Sequence, residues 1–203
     1  MQTKSCNGCI ALIIVCLQLC QIKLENRFKY RQPGDQAFIT VDCTDCLIEE
    51  PSPFNSIYYS HKWNHPAYKY EIGISIRGGD IVWVNGPWPA GVPDSKVFDL
   101  VLSKRLGKNE KAECDNGYGN LEKAVIPGNA KSYLHKKQKS QARGRHENFN
   151  GKFKVFNALD HRFRHNDEEE HFLMFHSIAI LVQLSQEHGE KIYGVEVNGN
   201  YLT

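Results

Sequence analysis

Apolar and β-branched residues run from Ala37 to Val41 and stop at Asp42, which predicts a buried strand with a carboxylate at its tip. A second strand is expected from Tyr68 to Ile76, where apolar residues loosely alternate with Lys69, Glu71 and Ser75. Gly78-Gly79-Asp80 is a hairpin turn signal, and Ile81-Val82-Trp83-Val84 is its return strand. Gly86 to Pro93, with three prolines, reads as a rigid loop. Asp94 or Ser95 then caps a helix whose face is Val97, Phe98, Val101, Leu102 and Leu106, ended by Gly107. Lys111 to Cys114 is a short fourth strand before the turn Asp115-Asn116-Gly117. The connection from strand three through the helix to strand four is long enough for a parallel crossover, so the sheet is expected to be mixed.

The second half reads less evenly. Residues 119–145 carry Gly, Pro, Asn, Ser and many charges, and are expected to form a long, partly mobile loop. Glu147 stands in the first turn of a helix marked by Phe149, Phe153, Phe156 and Leu159. Asp167 caps a last helix from Glu168 to His188, ended by Gly189 and apolar around much of its surface. Lys191 to Val197 adds an edge strand or nothing. The class is therefore α/β, in the order β-β-β-α-β followed by C-terminal helices. Residues 1–24 are read as an apolar N-terminal helix left from a truncated preceding region, 25–197 as one domain and 198–203 as a tail. Ile10 to Leu19 also has the outline of a signal peptide, but lacks a small-residue cleavage site. As a helix the run is too short to span a membrane.

Composition changes this picture little. The chain has 203 residues, 41% hydrophobic and 24% charged, as expected of one domain with a real core. Charge distribution says more than the net +2. From Lys131 to His165 ten Lys or Arg face two acids, a balance of +8, so the rest of the chain sums to −6. Such a segment suits a phosphate backbone, and equally suits a solvated helix face. Arg143, Arg145, Lys152 and Lys154 are its candidate phosphate contacts, flanking Glu147.

Seven cysteines in uneven clusters do not make a secreted disulfide framework. Cys6-x-x-Cys9 and Cys43-x-x-Cys46 have zinc-ligand spacing, against which stands the plainer role of core thiols. Trp88, between two prolines, is the candidate for an exposed ring that wedges against DNA. Asp42, Asp115 and Glu147 would form a carboxylate cluster if the fold brought them together, and hard oxygen ligands suit Mg²⁺ or Mn²⁺. Asp94 is a fourth candidate ligand, or simply a helix cap. Asp45 falls on the opposite face of the first strand if that strand continues.

Several stretches together resemble the DDE superfamily endonuclease domain of Harbinger-type transposases and their HARBI-like nuclease relatives. They include Val41-Asp42-Cys43-Thr44-Asp45, Tyr58-Tyr59-Ser60-His61-Lys62, Gly79-Asp80-Ile81-Val82-Trp83-Val84-Asn85-Gly86-Pro87 and Asp94-Ser95. Asp115-Asn116-Gly117-Tyr118, Arg145-His146-Glu147-Asn148-Phe149-Asn150-Gly151-Lys152 and Phe163-Arg164-His165 complete the set. The resemblance spans residues 24–197 and implies an RNase H-like fold. It also implies a catalytic cluster binding Mg²⁺ or Mn²⁺, with Asp42 as the first acid and Glu147 as the last. The middle acid is Asp115 by topology, or Asp94 by family description, so all four are candidate metal ligands. Implied with these are double-stranded DNA as substrate, a separate DNA-binding accessory protein, no small-molecule cofactor and a nuclear location. Two departures stand out: Cys43 occupies the family's usual Gly after the first acid, and Asn116 its usual basic residue. An inactive copy, or a domesticated protein that binds DNA or protein without cutting, is the alternative.

Overall fold

The computed structural model describes residues 22–119, 121–127, 133–164 and 167–189, with Leu134 and His135 described by backbone alone. The apolar start, Cys6, Cys9 and the tail 191–197 lie outside these residues. Six strands form one mixed sheet. They are β1 (Ala37–Leu47), β2 (Tyr59–Ser60), β3 (His65–Ser75), β4 (Ile81–Pro89), β5 (Lys111–Glu113) and β6 (Ala124–Val125). β3 pairs antiparallel with β1 and β4, while β5 pairs parallel with β1 and with β6. The short β2 pairs with the first two residues of β3. The expected three-stranded antiparallel unit and the parallel crossover are both present, in an open α/β sheet of RNase H-like order. β6 was not foreseen, because two residues give no period to detect.

Among the described residues five helices cover the sheet: α1 (Asp94–Leu100), α2 (Leu102–Arg105), α3 (Tyr133–Lys154), α4 (Asn157–Asp160) and α5 (Glu168–Glu187). α3 and α5 cover one face, where Phe149, Phe153, Phe175 and Ile178 meet Tyr70, Ile72 and Ile74. Tyr70 and Phe175 stack with centroids 3.7 Å apart and ring planes within 4°. α1 and α2 cover the other face, packing Phe98, Leu102 and Leu106 on Ile39, Val41 and Val82. The sheet therefore has a core on each face, and β3, which lies between β1 and β4, is buried along nearly its whole length. Among the described residues no helix is long and apolar enough to cross a membrane.

Several expectations need correction. The first strand does not end at Asp42. β3 pairs with it as far as Leu47, so Asp42 lies mid-strand. The return strand runs on to Pro89 through the first half of the expected rigid loop, and Trp88 is half-buried there opposite Lys69 rather than exposed. Asp94 does not cap α1. Pro93 is the N-cap residue and has no side-chain acceptor to offer, while the Asp94 carboxylate is held by Lys69. The expected loop 119–145 is helical from Tyr133, so Glu147 sits well inside α3 instead of in a first turn. The Asp167 cap holds as expected, accepting from the N–H groups of Glu169 and Glu170.

Candidate active site

The site is built where β1 outruns its neighbour. β1 and β5 pair in parallel up to the rung Thr40–Glu113, after which β5 ends. Residues 41–47 of β1 continue with β3 alone, leaving their other edge open. Asp42 and Asp115 stand two residues beyond that same rung, one on each strand's extension. Asp115 leaves the strand as the N-cap of the 3₁₀ turn Asn116–Tyr118, its Oδ1 accepting from the Gly117 N–H at 2.8 Å. This is the position outside the carboxyl ends of parallel strands where α/β sheets place their sites.

α3 supplies the third wall. Ala142 packs with Ala37 and Ile76, and His146 Nε2 shares a 2.8 Å hydrogen bond with Thr40 Oγ1. The helix thus advances along β1 in the strand's own direction. Thr40 and Asp42 share one face of the strand, so the helical residues just after His146 come level with Asp42. The result is a cleft of about 670 Å³ carrying six carboxylates: Asp42, Asp45, Asp94, Glu113, Asp115 and Glu147. All four sequence-predicted acids thus line one cleft. Asp45, expected on the opposite strand face, reaches it too, because the cleft wraps around an open edge.

The carboxylates are unequally compensated. Lys69 Nζ lies 2.5 Å from Asp94 Oδ1 and donates also to the Val92 carbonyl at 2.6 Å. Lys139 Nζ is 3.4 Å from Glu113 Oε2 and donates to the Ile126 carbonyl at 2.9 Å. Asp45 accepts from Ser60 Oγ at 2.6 Å. Among the described residues Asp42 receives only its neighbour's N–H, from Cys43 at 2.9 Å. Burial, followed by the nearby charges of Asp115 and Asp94, pushes the Asp42 carboxyl up to about 6. Glu147 is the most open of the four, its side chain 73% exposed and 3.9 Å from Arg143 Nε. His146 is buried and held neutral, its imidazole lowered to about 3 by desolvation, so its role is to fix α3 on β1.

The donor set suits a hard divalent cation in kind, being carboxylate oxygens beside an under-compensated buried acid. The side chains as they stand are not gathered around one point. Among the described residues no three Asp, Glu, His or Cys groups converge closely enough to hold an ion. Cys43 and Cys46 do not form half of a zinc site. They face opposite sides of β1, Cys46 in the core under α3 and α5, and Cys43 with its Sγ 3.5 Å from the Tyr118 hydroxyl.

The candidate phosphate contacts divide. Arg143 and Lys154 are exposed and Lys152 is half-buried. Arg145 is 1% exposed, and its Nη1 donates to the carbonyls of Ser75 and Ile76 at 2.8 and 2.9 Å. It closes the end of the β3 strand, and no phosphate reaches it. Sequence reasoning missed Lys69, Lys139 and the buried Glu71. The available signal was a charged residue inside an otherwise apolar strand, as with Lys69 and Glu71 between and beside Tyr68, Tyr70 and Ile72.

No curated protein and no solved structure matches the chain. A family model described as DDE superfamily endonuclease matches residues 41–183, from the residue before Asp42 to Gln183 on α5. That span holds the sheet's open edge, all four acids and the helices on both faces, and the chain belongs to the DDE superfamily endonuclease family.

Proposed function

We propose that this domain cleaves DNA phosphodiesters with divalent metal ions held by Asp42, Asp115 and Glu147. The observation that carries the reading is the shared rung Thr40–Glu113, which sets Asp42 and Asp115 side by side at the mouth of a cleft that Glu147 also lines. Asp115 is preferred to Asp94 as the middle acid because Asp94 already has a cation, the Lys69 ammonium. Mg²⁺ or Mn²⁺ bound by these carboxylates would supply charge stabilisation and an activated water. The chain's own part is to hold Asp42 on a rigid strand, to keep Asp94 and Glu113 discharged by lysines, and to release Glu147 from Arg143 toward the cleft.

The test is nicking of supercoiled plasmid by the purified chain in Mn²⁺, beside Asp42→Asn and Glu147→Gln. Nicking that disappears in both variants is the expected result. A folded chain that binds DNA but leaves plasmid intact supports the second reading, a domain that binds DNA without cutting it. That reading draws on the outward position of Glu147 and the lack of convergence among the acids.

A further inference from the structure

Beside the cleft stands an aromatic ring that the acidic cluster does not use. Trp63 lies in the turn 61–64 between β2 and β3 and is 40% exposed. Two ammonium groups lie over its ring, Lys154 Nζ at 4.4 Å and Lys62 Nζ at 5.8 Å from the centroid. Lys62 lines the acidic cleft as well, and so does His61. Both lysines are exposed and, among the described residues, neither is ion-paired with a carboxylate, while the Lys62 charge acts on Asp42 and Asp45 across the cleft. The turn is not a loose one. Asn64 takes a left-handed conformation at φ 52°, and its Oδ1 accepts from the Tyr59 hydroxyl at 3.4 Å. Ser60 Oγ accepts from the Trp63 N–H at 3.4 Å while donating to Asp45, a carboxylate of the cleft, at 2.6 Å. The backbone of the turn that carries the indole is thus tied to a carboxylate of the cleft.

We propose that Trp63 is a stacking platform for an unpaired nucleobase on a DNA strand whose phosphates run past Lys62 and Lys154 into the cleft. The proposal rests on the DNA reading above. A partly exposed indole attended by two lysines is the combination that single strands use: a base displaces an ammonium to stack on the ring, and the phosphates take up the charge. A base inside a duplex has both faces occupied by its neighbours, so only an unpaired or displaced base fits this platform. Stacking on a π face is tolerant of sequence, because every base has one.

The test uses the full chain in Ca²⁺, with fluorescence anisotropy on two DNAs. One is a blunt duplex. The other is the same duplex with a short single-stranded tail that carries 2-aminopurine. Trp63→Ala is expected to lose about tenfold in affinity for the tailed DNA while binding the blunt duplex as wild type does. The 2-aminopurine quenching seen with wild type should disappear in Trp63→Ala and persist in Trp63→Phe. Equal losses on both DNAs, no loss on either, or unchanged quenching in Trp63→Ala would overturn the platform. A wild-type chain that binds blunt duplex while Trp63→Ala matches it on both DNAs overturns the platform alone. A wild-type chain that binds neither DNA overturns the DNA reading with it.

Discussion

Lys69 Nζ sits 2.5 Å from Asp94 Oδ1, so the acid at the start of α1 is answered by a lysine from the middle of the sheet. Lys69 is buried, and its other hydrogen bond goes to the carbonyl of Val92 in the segment leading into α1. The pair therefore ties that segment to β3 while discharging one of the cleft's carboxylates. Removing the cation would leave Asp94 beside Asp42 and Asp45 with nothing to balance it. Lys69→Met is expected to lower stability by about 2 kcal/mol, and Lys69→Met with Asp94→Asn should recover part of that loss. Thermal unfolding of the two single variants and the double variant measures the coupling.

The same pair separates Asp94 from the other acids in function. If Asp115 is the middle metal ligand, Asp94→Asn should reduce plasmid nicking by less than tenfold, while Asp115→Asn should reduce it by about a hundredfold or more. Rates in Mn²⁺ for the two variants side by side decide the assignment. The reverse order would move the metal to Asp94 and make Lys69 its competitor.

Glu71 gives the fold a pH dependence. It is fully buried, accepts from Trp83 Nε1 at 2.8 Å, and its Oε1 has no hydrogen-bond partner among the described residues. Burial is the main cause that pushes its carboxyl up to about 7, against an ordinary 4.5, with Asp94 adding to the rise. The folded state thus holds a proton that the unfolded state gives up. Stability should be greatest below pH 4.5 as far as this group is concerned, fall as pH rises toward 7, and level off above it. Glu71→Gln keeps the acceptor for Trp83 and removes the charge. Its melting temperature should match wild type near pH 5 and exceed it near pH 8, as read by unfolding scans across that range.

The strands and the last helix were legible because their cores are apolar and regular. Tyr70, Ile72 and Ile74 mark one face of β3, and Phe175, Ile178 and Val182 mark the buried side of α5. The part of α3 before Glu147 was not legible. The residues it buries there include Gln138, Lys139, Arg145 and His146, and the polar ends of the last three find carbonyls, Glu113 or Thr40. Such a helix shows no apolar period. The end of β1 was misplaced for a related reason. Asp42 and Asp45 are polar because that edge borders the cleft, and β3 holds the strand together regardless. Asp42 was found by its place after an apolar run. Asp115 and Glu147 lie 73 and 105 residues further along the sequence, and only the family resemblance and the fold bring them to it.

Two arginines two residues apart on α3 should behave oppositely. Arg145 is a structural residue whose guanidinium satisfies the carbonyls of Ser75 and Ile76, whereas Arg143 is exposed beside Glu147. Arg145→Ala is expected to cost about 3 kcal/mol by leaving two buried carbonyls without their donor. Arg143→Ala should leave the melting temperature unchanged and weaken DNA binding, with a shallower dependence of affinity on salt. Calorimetric melting and salt-titrated anisotropy separate the two effects.

A metal can be detected without any turnover. Asp42 is the least compensated buried acid in the cleft, raised to about 6 by burial and by Asp115 and Asp94. A divalent cation that binds the folded chain would relieve that repulsion and stabilise it by mass action, by about 2.7 kcal/mol at a hundredfold excess over its dissociation constant. At pH 7 and above, Mn²⁺ should therefore raise the melting temperature of wild type. The rise should shrink below pH 6, where Asp42 holds its proton, because the cation and the proton compete for the same oxygens. Asp42→Asn should melt higher than wild type in the absence of metal, since it removes an uncompensated charge, and should gain little when Mn²⁺ is added. A wild-type chain whose melting temperature ignores Mn²⁺ at pH 8 would leave the acids as a cleft wall and favour the domain that binds DNA without cutting it.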